Sequence, residues 1–134
     1  MTLKQGVRVE AGFTYVRLTP EAASQNLRHF LNALNRQIYG NAARRYGKRV
    51  RVIPVLEGCA DKRFHFHCMI DCPRPELAPT FGMLVAQTWK STQFGYREVL
   101  VEPGDLGWVA YMTKLRDKED MASSIDWMNY HNPP

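Results

Sequence analysis

The sequence predicts an α+β fold, in which helices cover an antiparallel sheet of four to five strands. Three observations lead to this prediction: short β-favouring apolar runs, two longer segments with apolar residues at helical spacing, and a short turn between two of the apolar runs. A length of 134 residues suits one domain with a substantial core. We expect a single domain over 1–134, with a compact part at about 7–116 and a tail or short helix over 117–134.

The first predicted strand covers 12–18, and a helix follows it directly. Residues 12–18 are rich in β-branched and aromatic side chains. Thr19 suits the N-cap, Pro20 the first helical position and Gly40 the end of the helix. Apolar residues recur along this helix at helical spacing, so that one stripe should pack on the sheet: Leu27, Phe30, Leu31, Leu34 and Ile38.

A basic connection over 41–48 leads to a predicted hairpin of two strands, 50–57 and 63–70. Pro54 indicates that the first of them is an edge strand or carries a bulge, because proline cannot donate a hydrogen bond to a neighbouring strand.

A helix over 76–91, a strand over 96–101 and a last helix beginning at 103–105 complete the predicted elements. The residues expected to face inward from the helix over 76–91 are Phe81, Leu84, Val85, Thr88 and Trp89. The order β-α-β-β-α-β-α is that of a ferredoxin-like split βαβ domain.

Composition limits the function classes. There is no run of about 18 apolar residues, and the first residues lack the apolar core of a signal peptide. The cysteines, at 59, 68 and 72, are odd in number, which argues against a secreted disulfide framework. We expect a cytoplasmic protein with reduced thiols and no membrane partner.

The positive charge is unevenly placed. The net charge is +5, and no acidic residue lies between Glu21 and Glu57. That interval contains seven basic residues: Arg28, Arg36, Arg44, Arg45, Lys48, Arg49 and Arg51. Two interpretations stay open at this point, a surface that binds a phosphate backbone and a solvated basic loop.

Two histidines two residues apart lie in the strand predicted over 63–70. Alternation along a strand places His65 and His67 on one face and Cys68 on the other, where we expect it in the core. Glu57, across the hairpin, would add a carboxylate and complete an open three-ligand site for Mg²⁺ or Mn²⁺ that tolerates Zn²⁺. The alternative is that the histidines are ordinary sheet residues and Glu57 an exposed strand end.

The last predicted helix carries Trp108, Tyr111 and Lys114, spaced three apart and therefore on one face. A phosphate polarised by a metal ion and a lysine is open to attack by a tyrosine hydroxyl. The alternative is an amphipathic helix whose tyrosine and lysine only cover the sheet.

Together these features resemble the HUH endonuclease superfamily, and within it the single-tyrosine replication initiators of rolling-circle plasmids, phages and small circular DNA viruses. Residues 13–20 (Phe-Thr-Tyr-Val-Arg-Leu-Thr-Pro) are similar to the first family motif, His65-Phe66-His67 to the metal motif, and Tyr111-Met112-Thr113-Lys114 to the Tyr-x-x-Lys motif. The three occur in family order, no second tyrosine follows Tyr111 at helical spacing, and there is no Gly-x-x-x-x-Gly-Lys-Ser/Thr loop of a helicase.

The resemblance implies a metal-dependent endonuclease that nicks and rejoins single-stranded DNA at a replication origin, through a covalent 5′-phosphotyrosine link. Tyr111 and Lys114 would be catalytic, and Glu57, His65 and His67 would hold Mg²⁺ or Mn²⁺. The residues implied in DNA binding are Thr14, Arg17, Arg44, Arg45, Lys48, Arg49, Arg51 and Trp108. Host helicase and replication proteins are further expected partners, in the bacterial cytoplasm or, for a viral protein, the host nucleus.

Three other interpretations remain from the sequence. A transposase of the same superfamily would use Tyr130 as its nucleophile. A non-catalytic ferredoxin-like module would bind nucleic acid with merely structural histidines. A structural zinc site would combine a histidine with Cys59, Cys68 or Cys72, although the spacings fit no paired Cys-x-x-Cys scheme.

Overall fold

The computed structural model describes residues 7–13, 18–59, 62–103 and 125–131, with the backbone alone described at 57–59, 62–64, 96–98 and 103. Within these residues the fold is α+β, as predicted. In chain order the elements are β1 (Val7–Phe13), α1 (Pro20–Tyr39), α2 (Asn41–Tyr46), β2 (Val52–Cys59), β3 (Lys62–Ile70), a 3-10 turn (Pro75–Leu77), α3 (Ala78–Lys90) and β4 (Gly95–Pro103).

The four strands form one antiparallel sheet in the order β2-β3-β1-β4. Helix α1 connects β1 to β2, and β3 lies between these two strands, which is the split βαβ arrangement. β2 is at the edge of this sheet, which confirms the interpretation of Pro54 as an edge-strand residue.

Two elements differ from the sequence prediction. The first strand is Val7–Phe13, so the predicted start at residue 12 was wrong by five residues. Gly12 and Phe13 of the predicted range belong to this strand, and 14–17 lie outside the described residues. The strand is specified by alternation, because every second residue from Val7 to Phe13 is buried, whereas aromatic and β-branched content had favoured the later residues. The predicted connection over 41–48 contains the short helix α2, which the helix-favouring Ala and Arg residues explain and which ends at Gly47 with a φ of 64°.

The ends of α1 follow the predicted capping. The Thr19 hydroxyl accepts a hydrogen bond from the Ala22 N–H at 3.1 Å, and the Gly40 N–H donates to the Arg36 carbonyl at 2.8 Å. The predicted apolar stripe is buried against the sheet: Leu27, Phe30, Leu31, Leu34 and Ile38. Phe81, Val85, Thr88 and Trp89 of α3 are buried as well, and Leu84 packs beside them.

Trp89 is the centre of an aromatic cluster between the helices and the sheet. Its ring lies edge-on to those of Phe13, Phe30 and Phe66, with centroid separations of 5.2, 5.5 and 6.5 Å. Its indole N–H donates to the Gly12 carbonyl at 3.1 Å. Gly12 pairs with His65 in the sheet, so this contact fixes β1 at the level of the histidines.

The segment 125–131 lies along β2. The Val52 and His131 backbones exchange two hydrogen bonds, of 2.7 and 3.0 Å, and the Asp126 N–H donates to the Pro54 carbonyl at 3.0 Å. The Asn129 amide, nearly buried, donates to the Ser24 carbonyl of α1 at 2.9 Å. This part of the predicted tail is therefore packed against the sheet edge and α1, and it pairs with strand groups that would otherwise form an open edge.

Among the described helices, none has the length and apolar character needed to cross a membrane.

We expect Trp89→Ala to lower the free energy of unfolding by about 3–5 kcal/mol, since it empties the centre of the cluster. Trp89→Phe should cost less, about 1–3 kcal/mol, because the ring stays but the Gly12 carbonyl loses its donor. Urea titration measures both values. Met83→Ala, on the exposed side of α3, is the control and should change stability by no more than about 0.5 kcal/mol. Equal losses for the two Trp89 variants would contradict the contribution of ring packing, and unchanged stability in Trp89→Phe would contradict the role of the hydrogen bond.

The packing of 125–131 should depend on pH. Burial and the neighbouring guanidinium groups of Arg49 and Arg51 lower the pKa of His131. The imidazole of His131 therefore binds a proton more tightly in the unfolded chain than in the folded chain. As the pH falls below the ordinary histidine pKa of about 6.5, protonation favours the unfolded chain and the free energy of unfolding decreases. His131→Gln should lose less thermal stability than wild type between about pH 7.5 and about pH 5. Equal losses in the two proteins would show that His131 does not contribute.

Candidate metal centre

The candidate site lies on the face of the sheet away from α1 and α3. Along β1 and β3 the residues of one parity are buried under the helices, among them Val9, Phe66 and Cys68. Alternation places Glu10 of β1 and His65 and His67 of β3 on the other face. The predicted common face of the two histidines is confirmed.

The two imidazole rings are close neighbours. The centroids of His65 and His67 are 4.9 Å apart, the rings meet at 73°, and both side chains are half-buried. Val55, the partner of His67 on β2, and Met69 on β3 are buried on this same face. Part of the surroundings of the two histidines is therefore apolar. Fewer water molecules would then compete with the imidazole nitrogens for a bound ion.

Glu10 brings a carboxylate to the histidines. It pairs directly with His67 in the antiparallel register of β1 and β3. One ligand atom from each of Glu10, His65 and His67 can be chosen so that all three lie within 4.8 Å of one another. Opposite ligands of one ion with bonds of about 2.1 Å are about 4.2 Å apart, so small side-chain rotations would close the three atoms around a cation.

Glu10 is not among the ligands predicted from the sequence. The charged residues Arg8 and Glu10 alternate with Val7, Val9 and Ala11, and this pattern was the available signal for a strand with two different faces. The pairing of β1 with β3 has no such local signal, because it joins residues more than fifty positions apart in the chain.

Glu57, the carboxylate that the sequence predicted, is opposite His65 in the backbone register of β2 and β3. Its side chain lies outside the described residues. The two histidines thus have a glutamate position on each neighbouring strand, Glu10 beside His67 and Glu57 beside His65.

Two imidazole nitrogens and a carboxylate oxygen form a ligand set that leaves coordination positions for water or phosphate oxygens. Such a set suits Mg²⁺ or Mn²⁺ and also accepts Zn²⁺. The described residues thus include a group of three side chains that could hold a metal ion.

Comparisons with protein-family models, curated proteins and solved structures found no match to this chain.

The two cysteine side chains that the structure describes, Cys68 and Cys72, lie in the core and not in the histidine cluster. Cys68 is buried on the helix-covered face, as predicted, and burial raises the pKa of its thiol far above the ordinary value. Cys72 is buried too, and its thiol donates to the Arg74 carbonyl at 3.2 Å. The Cys59 side chain lies outside the described residues.

The remaining predicted site residues divide into two sets. Thr14, Arg17, Trp108, Tyr111 and Lys114 lie outside the described residues, as does the last predicted helix. Arg44, Lys48 and Arg49 are described and line one groove together with Arg36, while Arg45 and Arg51 are not among the residues that line it. The groove is near the beginning of β2. His67 and His65 pair with later residues of β2, Val55 and Glu57, and Glu57 is about five positions or about 16 Å from the beginning of the strand.

Metal binding tests the cluster directly. We expect the protein to bind Mn²⁺, and His67→Ala and Glu10→Gln each to weaken binding at least about tenfold, because each removes one ligand. Isothermal titration calorimetry measures the affinities. Glu102→Gln is the matched control: Glu102 is an exposed β4 carboxylate that pairs with Arg8 at 3.4 Å and lies outside the cluster. Unchanged affinity in Glu10→Gln would exclude Glu10 as a ligand and leave the Glu57 position to be tested in the same way.

Proposed function

We propose that this protein is a metal-dependent single-strand DNA nickase that uses Tyr111 as its nucleophile. The observation that carries the proposal is the cluster of Glu10, His65 and His67 on the two central strands. A ligand set of this kind on a rigid sheet is suited to holding an ion against a phosphate group.

The sequence motifs support the same activity. The His-Phe-His strand and the downstream Tyr-x-x-Lys resemble those of HUH replication initiators, and the split βαβ sheet agrees with the fold that this resemblance implies. A bound Mg²⁺ or Mn²⁺ would withdraw charge from the oxygens of the scissile phosphate. The other steps belong to side chains of this protein.

In the proposed reaction the Tyr111 hydroxyl attacks the phosphorus in line with the leaving 3′-oxygen and gives up its proton. The bond from phosphorus to the 3′-oxygen breaks, a 3′-hydroxyl is released, and the 5′-phosphate remains joined to the tyrosine. Lys114 would offset the negative charge that develops on the phosphate. A 3′-hydroxyl can reverse the reaction, so strands are rejoined without ATP.

The substrate in this proposal is single-stranded DNA at a replication origin, and the biological process is rolling-circle replication of a plasmid or phage. Thr14, Arg17 and Trp108 would contact the DNA near the nick, and host helicase and replication proteins would act with the nickase.

Trapping of the covalent intermediate tests the proposal. A pool of single-stranded oligonucleotides labelled at the 3′ end is incubated with protein and Mn²⁺ and separated on a denaturing gel. We expect a labelled protein–DNA adduct from wild type, no adduct from Tyr111→Phe, and none when EDTA removes the metal, because attack needs both the phenol and the ion.

Tyr130→Phe is the control for a different nucleophile. Tyr130 lies in the described segment 125–131, with its ring centroid 5.2 Å from that of Trp127, and it should be dispensable. An adduct that survives Tyr111→Phe but is lost in Tyr130→Phe would favour the transposase alternative. Absence of any adduct with Mg²⁺, Mn²⁺ or Zn²⁺ would contradict the nickase and favour a non-catalytic nucleic-acid-binding module.

A further inference from the structure

A basic groove lies between the second half of α1, helix α2 and the residues that lead into β2. Its volume is about 490 Å³, and its charged lining consists of Arg36, Arg44, Lys48 and Arg49. Asn32 and Asn41 contribute amide groups between these cations. The groove therefore offers both positive charge and hydrogen-bond donors to a ligand.

The positive charges of the groove have no acidic partners within the described part of the chain. Among the described residues, no carboxylate forms an ion pair with Arg36, Arg44, Lys48 or Arg49. Asp71 interacts with Arg51, which does not line the groove. Four like charges that converge on one concave surface without counter-charges favour an anionic ligand.

The walls of the groove are fixed by a buried contact. Asn35, in the middle of α1, accepts a hydrogen bond from the Val50 N–H at 2.8 Å, and both residues are buried. Gly40 and Gly47, with φ values of 57° and 64°, let the chain turn sharply on either side of α2. The cations are thus mounted on a preformed framework, which lowers the ordering cost of binding.

The positive surface continues along α1. A smaller cavity shares Asn32, Asn35 and Arg49 with the groove and is also lined by Arg28. Arg28, Asn32 and Arg36 are four residues apart and therefore follow one face of the helix over about 12 Å. An extended row of this kind suits a polymer of phosphates better than a single phosphate ion.

We propose that this groove binds the phosphate backbone of single-stranded nucleic acid, separately from the metal centre. Tyr46, at the end of α2, is 74% exposed and is followed directly by Gly47, which lines the groove. An exposed ring at this position favours a single strand, because unpaired bases stack on aromatic rings. The groove lies on the helical side of the sheet and near the beginning of β2, away from His65 and His67. Binding should therefore require no metal.

Fluorescence anisotropy with a labelled, unstructured oligonucleotide of roughly 16 nucleotides tests this proposal in buffer containing EDTA. We expect wild type to bind with an affinity that falls steeply with salt. Arg44→Ala should weaken binding severalfold and reduce the slope of log K against log salt by about 0.7, the value for one lost contact with a single strand. Lys48→Ala should act in the same way.

Lys90→Ala is the control matched to Lys48→Ala. Lys90 is the last residue of α3, carries the same charge and is also exposed, but it does not line the groove. The affinity and salt slope of this variant should stay close to those of wild type. Equal effects of Lys48→Ala and Lys90→Ala would overturn the groove in favour of diffuse attraction, and so would absence of binding at low salt.

Tyr46→Ala distinguishes the form of the nucleic acid. The Tyr46→Ala substitution should weaken binding of the single-stranded oligonucleotide. Wild type should bind a duplex of the same length less tightly than the single strand. Duplex binding that is equal or tighter would overturn the single-strand assignment. Thermal melts check that the variants are folded.

The proposal does not rest on the nickase activity. Loss of covalent adducts with binding in EDTA intact would contradict only the nickase, and efficient adduct formation by a protein whose binding is insensitive to Arg44 and Lys48 would contradict only the groove.

Discussion

The packing of β1 and β3 under the two long helices is the constraint on which the rest of the molecule depends. Trp89 fills the space between α1, α3 and these strands, and its N–H holds the Gly12 carbonyl. Because side chains alternate along a strand, burial of Phe66 and Cys68 in this core leaves His65 and His67 only the opposite face. The placement of the two histidines on one face beside Glu10 is in this sense a consequence of the aromatic core.

The same sheet keeps two chemical regions apart. The histidines and Glu10 lie on the face of the sheet away from the helices, beside the later residues of β2. The cationic groove is on the helical side, near the beginning of β2. A divalent ion bound at the histidines and the cations of the groove would repel one another. Their separation would let each attract phosphate, as proposed, without weakening the other. In a nickase it would allow a strand to be held at one place and cut at another.

The parts of the fold that the sequence predicted well are those encoded locally. The caps of α1 at Thr19 and Gly40 and its apolar stripe need only near neighbours in the chain, and Pro54 marks an edge strand because of its own missing N–H. The beginning of β1 was mispredicted because residue preferences at 12–18 outweighed the alternation that begins at Val7. The packing of Asn129 on Ser24 had no local signal at all, since it joins residues 105 positions apart.

By itself, the sequence determined that His65 and His67 share a face and that basic residues concentrate between Glu21 and Glu57, since both follow from order along the chain. Only the tertiary structure decided that Glu10 stands beside His67 and that Arg36 joins Arg44, Lys48 and Arg49 while Arg45 does not. Strand neighbours, register and the helix faces that meet are set by how the whole core closes around Trp89, and that closure involves residues distant in sequence.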